Sequence, residues 1–191
     1  RNKIVISVLL LIFMLVSQEN FALFVFFICL GLIIDFKKNQ KKSFHLLLFS
    51  LISLVYFLTV ILYVIPSFSS QSEYGGFLYS SFGNNIFDAS KALLINPVES
   101  FKAFFTNHNN SIYGDFVKAE THIILLLSGL LFLFKKPQYL LMLVPIYLQK
   151  FFHDNYLMWG IGGQYNIEFA PIMAIGIFKV ISEFKRENLK V

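Results

Sequence analysis

The sequence predicts an all-α, polytopic integral membrane protein of about six transmembrane helices with one larger external loop segment. Three observations carry that prediction. Of the 191 residues, 57% are hydrophobic, 18% aromatic and only 14% charged, and the mean hydropathy of +0.67 lies well beyond that of an ordinary soluble domain. The apolar residues gather into runs broken only by lysines and short polar turns. The basic residues fall in short clusters beside those runs, as a topology signal does, rather than in a groove, so the net charge of +5 does not point to nucleic acid.

The first run, Ile4 to Val16, follows Arg1, Asn2 and Lys3. No small-residue cleavage site follows Val16 and the next run begins at once, so the segment reads as a retained span rather than a signal peptide. The absence of an initiator Met leads to the expectation that the chain is the C-terminal part of a longer polypeptide. After the turn SQEN, Ser17 to Asn20, comes the second run, Phe21 to Phe36, and after a lysine-rich loop the third, Phe44 to Ile65. The third alone is long enough to cross a bilayer, since about 20 helical residues span about 30 Å of hydrocarbon. Three further runs follow at His122 to Phe134, Tyr139 to Phe152 and Ile167 to Phe184. Shorter runs must thin the bilayer or end below its surface in protein or water, which puts their polar ends in a recess.

If every run crosses once, Arg1, Lys3, Lys37, Lys38, Lys41, Lys42, Lys135, Lys136, Lys179, Lys185, Arg186 and Lys190 share one side, and only Lys91, Lys102, Lys118 and Lys150 lie on the other. The positive-inside rule then makes the C-terminus cytoplasmic. The whole of 1–191 reads as a single membrane domain whose external loop region covers 66–121. Within that region, INPVESFKAFF has a helix start: Asn96 as cap, Pro97 at the first helical position and Glu99 returning to the cap. Phe101, Phe104 and Phe105 then share a face, either against the headgroups or against the ends of the spans. TNHNNSIYGD, Thr106 to Asp115, reads as an exposed turn-rich loop that includes His108, and Asn109-Asn110-Ser111 is formally a glycosylation acceptor.

Cys29 is the only cysteine, so neither an intrachain disulfide nor a multi-cysteine metal site can form. No metal-ligand spacing, nucleophile elbow, phosphate loop or dinucleotide fingerprint is present, and no cofactor or metal is expected. Three polar clusters fall on the external side. In the first, Glu19 follows a run that climbs only about 20 Å, so its carboxylate lies below the outer surface or in a plain solvated turn. In the second, QKFFHDNY, Lys150 and His153 stand beside Asp154, a set that binds an anion or shuttles a proton unless it is an interfacial belt in which Lys150 snorkels and Tyr156 and Trp159 anchor. In the third, GGQYNIEFAP, Gln164, Tyr165 and Glu168 share a helical face, or Pro171 marks the first turn and a helix N-terminus faces the recess.

The order of these features resembles that of a family of predicted prokaryotic membrane proteins carrying a domain-of-unknown-function label, DUF2079. The resemblance rests on QEN at a short external turn, a basic inner loop, a long span ending in VIP, the external Asn96-Pro97, KPQYLLMLVPIYLQKFF, and a QY followed by Pro. The family is similar in architecture to GT-C membrane glycosyltransferases, and the chain resembles the C-terminal half of a member. The family's Lys-Glu-Asp-like triplet falls on Gln18, Glu19 and Asn20, keeping only the central acid. Its His-Tyr falls on Gln164 and Tyr165, with glutamine where histidine is frequent, and its proline matches Pro171.

The resemblance implies a sugar donor linked to polyprenyl phosphate, used at the outer face of a prokaryotic cytoplasmic membrane, with membrane lipids as the other partners. It also implies a catalytic acid upstream of Arg1, leaving this piece inactive alone. Glu19, Lys150, His153, Gln164, Tyr165 and Glu168 become the expected substrate-binding set. The rival reading is a transporter, channel or structural membrane subunit. A transporter requires polar groups deep in the spans, where only Ser50, Ser53, Thr59 and Ser128 occur.

Overall fold

The computed structural model describes residues 2–68, 77–162 and 167–188. Among the described residues every regular element is helical and no strand occurs. The chain divides into two compact units, 1–75 and 76–191.

The N-terminal unit holds α1 (Asn2–Ser17), α2 (Glu19–Asp35) and α3 (Gln40–Thr59). The last continues through a π turn at Val60–Val64 into a final turn, Ile65–Phe68. This continuous helix, Gln40–Phe68, is the one among the described residues that is long and apolar enough by itself to cross a membrane. Little of it is buried within the unit, and Phe44, Leu51, Val55 and Tyr63 stay exposed. Helix α3 starts where Asn39 accepts a hydrogen bond from the Lys42 amide at 3.1 Å.

Helix α2 is apolar all round and packs along α3, with Ala22, Phe24, Val25 and Cys29 buried. Ser50 and Ser53 are the small residues of α3 that are buried, and their hydroxyls donate to carbonyls of their own helix, Leu47 at 3.1 Å and Phe49 at 2.8 Å. Each hydroxyl proton is used within the helix, and the small size of both residues permits close packing.

The C-terminal unit opens with two short helices, α4 (Ile86–Ile95) and α5 (Pro97–Ala103), which pack on each other. Asn85 caps α4 by accepting from the Phe87 and Asp88 amides, each at 3.0 Å. Pro97 opens α5 as expected, but the Asn96–Glu99 capping box does not form: the Asn96 side chain caps nothing, and Glu99 turns to Lys102 at 2.7 Å. A solvated ion pair three residues on competes for the same carboxylate.

Helix α6 (Val117–Leu127) ends at Gly129, whose φ of +101° is a conformation that a side chain would strain. The fourth apolar run is therefore two pieces, α6 and a 3-10 helix at Leu130–Lys135, not one continuous helix. Helix α7 (Pro137–Phe151) and α8 (Phe169–Asn188) complete the unit. Leu133, Tyr139, Leu143, Ile146 and Met173 form its core. Gly176 lets α8 come close: a Cβ there would stand 2.6 Å from Leu133 Cδ2 and 2.9 Å from Tyr139 Cγ.

Candidate functional site

Lys150 lies in the last turn of α7, and Glu168 immediately precedes α8. The fold brings them together, with Nζ 3.5 Å from Oε2 and side-chain exposures of 1% and 19%. Lys150 does not snorkel. Its ammonium also stands 5.9 Å from the Phe169 ring. Removing two charges from water is costly, and the cost is offset only when each finds a partner. Helix α8 begins at Phe169 with Pro171 in its first turn, matching the second of the two expected geometries at that point.

The rest of QKFFHDNY is held by backbone. His153 Nδ1 accepts from the Asn155 amide at 2.9 Å, its ring meets Tyr79 edge-on at 5.5 Å, and its carbonyl accepts from Trp159 Nε1 at 2.7 Å. Burial pulls its imidazole below the ordinary histidine range, and the Asp154 charge opposes that pull. Asp154 fastens two loops: Oδ2 accepts from the Ser80 amide at 2.8 Å, its amide donates to the Leu78 carbonyl at 2.7 Å, and its carbonyl accepts from Asn109 Nδ2. Oδ1 is buried without a hydrogen bond.

Gln164 and Tyr165 lie outside the described residues. Glu19 belongs to the N-terminal unit, where it opens α2 and its charge complements the positive helix end.

A second enclosed polar centre is one that no sequence motif announces. Lys118, on the loop side of the fourth apolar run, is 1% exposed. Its Nζ donates to the Ala103 carbonyl and to the Phe151 carbonyl at 2.6 Å, and lies 2.7 Å from His108 Nδ1. It also stands 4.2 Å from the centre of the Trp159 ring. Three acceptors match the three hydrogens of an ammonium. Burial nevertheless pulls Lys118 down to about 7, and burial followed by the Lys118 charge takes His108 down to about 4.

Trp159 is fully buried, not an interfacial anchor, and its carbonyl accepts from Thr121 Oγ1 at 2.7 Å. His108 is likewise not a residue of a free loop: its ring sits 5.4 Å from Phe82 and 5.0 Å from Trp159. The loop around it is tied down as Asn107 Nδ2 donates to the Ser111 carbonyl and Asp115 Oδ1, both at 2.7 Å. Of the three phenylalanines expected on one face, Phe104 turns inward to Phe152 at 4.6 Å while Phe101 stays exposed. A signal for Lys118 was present: with Thr121 and Leu125 it follows the spacing of one helix face, and all three are buried.

Among the described residues, no group of three or more His, Cys, Asp or Glu could hold a metal ion. The family model for a predicted membrane protein, DUF2079, matches residues 1–190. No curated protein and no solved structure matches the chain.

Proposed function

The chain belongs to the DUF2079 family of predicted membrane proteins, and from that premise we propose that it forms one wall of an outer-face cavity in a GT-C-like glycosyltransferase. In this reading six segments cross the bilayer, the C-terminus is cytoplasmic, and the donor is a sugar on polyprenyl phosphate. The observation that carries it is the Lys150–Glu168 pair. A buried ion pair at the ends of apolar helices marks a functional position more readily than a structural one. At 3.5 Å it is longer than the roughly 2.7–2.9 Å of a well-made charge-assisted hydrogen bond.

A carrier phosphate offers Lys150 several strong acceptor oxygens and takes the place of the Glu168 carboxylate. Glu168, so released, accepts a hydrogen bond from a sugar or acceptor hydroxyl. His153, Gln164, Tyr165 and Glu19 complete the proposed substrate-binding set. Ser50 and Ser53 are buried against neighbouring side chains, which weighs against the transporter alternative.

The test is transfer of radiolabelled sugar from a polyprenyl-phosphate donor by the natural full-length protein in membranes. K150M should raise the donor KM, E168Q should lower turnover, and E19Q should lower transfer strongly at unchanged expression. Normal transfer by all three variants would dismiss the assignment. Glu19-dependent uptake into vesicles without any transfer would replace it with the transporter.

A further inference from the structure

The corner between α2 and α3 carries a cluster of like charge. Lys37, Lys38, Lys41 and Lys42 fall within six residues, and Asp35 is the one acid between Leu30 and Ser50. All four lysines are exposed, and none takes part in an ion pair among the described residues. The corner that displays them is held by local bonds. The Phe36 carbonyl accepts from the Asn39 amide at 2.7 Å and from the Ser43 hydroxyl at 3.0 Å, and the Lys42 ammonium lies 4.7 Å over the Phe36 ring. Like charges kept so close repel one another, and a counter-charge from outside the unit relieves the repulsion.

The cations stand at the end of an apolar face. Lys41, Phe44, Leu48, Leu51 and Val55 follow one another along α3 at intervals of three and four, so they share one side of the helix. The four apolar members are exposed, whereas Ser50, Ser53 and Phe57 on the side that meets α2 are buried. From Phe44 to Val55 the stripe runs about 17 Å at about 1.5 Å per residue, close to the depth of one leaflet in a hydrocarbon core about 30 Å thick.

Charge selects the occupant. A zwitterionic lipid covers the stripe but brings no net charge to an excess of three cations. A soluble anion meets the lysines and leaves the stripe uncovered. An anionic phospholipid does both within one molecule. We propose that the α2–α3 corner is a docking site for an anionic phospholipid, with its phosphodiester on Lys37, Lys38 and Lys41 and an acyl chain along Phe44, Leu48 and Leu51. The site lies wholly in the N-terminal unit and stands whether or not the protein transfers sugar.

The natural full-length protein, in non-ionic detergent, receives a small fraction of either phosphatidylglycerol or phosphatidylcholine, each bearing the same diazirine-labelled acyl chain. After illumination, adducts are mapped by peptide mass spectrometry. The segment 43–55 should take at least about fivefold more of the anionic lipid, roughly the worth of one lysine near an anionic surface. Salt at about 0.5 M, which shortens the reach of exposed charges, should bring the ratio toward one. The triple variant K37Q/K38Q/K41Q, which spares Lys42 on Phe36, should lose the preference, and K37R/K38R/K41R should keep it. Equal labelling of the wild-type segment by the two lipids, or a preference that survives in the glutamine variant, would overturn the assignment. Adducts missing from 43–55 would overturn it too, showing that another part of the protein covers this face.

Discussion

Replacing Lys118 with methionine removes the ammonium at the centre of the cage formed by Ala103, Phe151, His108 and Trp159. The variant keeps the bulk of the side chain but carries no proton, so its difference from wild type isolates the proton linkage of Lys118. Folding takes that pKa from 10.5 to about 7. A lysine whose folded pKa is depressed contributes stability that is fully present above the unfolded value and is lost as pH falls toward the folded one. The window thus runs from about 10.5 down to about 7.

Between about pH 7.5 and about pH 9.5 the linkage amounts to about 2.5 kcal/mol, at about 1.4 kcal/mol for each step of one in pH. For a chain of this size that is roughly 5–10 °C in apparent Tm. Wild type should therefore gain on K118M by that amount as pH rises, on top of a constant offset. The offset favours wild type because three acceptors lose their donor, each worth roughly 1–3 kcal/mol. Thermal unfolding of the two detergent-solubilised proteins by circular dichroism measures it. A difference that stays flat or shrinks across this window would mean that the ammonium keeps its charge inside the cage, and the buried-titration account would fall.

Breaking the buried Lys150–Glu168 pair from one side, by K150M, should lower stability by about 3–5 kcal/mol, and adding E168Q should recover most of it. Additive losses in a double-mutant cycle would show that the two charges are not coupled. G176L places a side chain where Leu133 and Tyr139 already stand, and overpacking of about 1–3 kcal/mol or more should appear as a lower Tm; an unchanged Tm would mean that α8 can shift aside without cost. D154A removes the acceptor for the Ser80 amide, about 1.5–3 kcal/mol for a charged acceptor, and should speed limited proteolysis around 77–82. Equal cleavage rates would leave Asp154 without that fastening role.

The apolar runs were legible as helical because each is longer than an ordinary strand, as Phe44 to Ile65 shows. The break at Gly129 was not, since glycine is common within apolar helices and only its positive φ reveals the turn. The Lys150–Glu168 contact joins residues 18 apart through a turn whose path local pattern does not specify. The Lys118 cage was hidden for a related reason. A lysine outside an apolar run is ordinarily solvated, and its burial depends on carbonyls of Ala103 and Phe151, which any residue type could supply. The Asn96–Glu99 box failed to form because a local motif says which bonds are possible, not which partner wins.

The π turn at Val60–Val64 has a bearing on how the long membrane helix would be mapped. Each residue of an α-helix advances the side-chain direction by about 100°, and a π turn takes in one residue more than an α turn. A wheel drawn uniformly from Gln40 to Phe68 therefore goes out of phase near its end, misplacing the buried Ile61 and the outward Tyr63 and Phe68. In a cysteine-accessibility scan the periodicity of labelling should slip at this point, so the last turn presents outward a set of side chains that the earlier turns do not foretell.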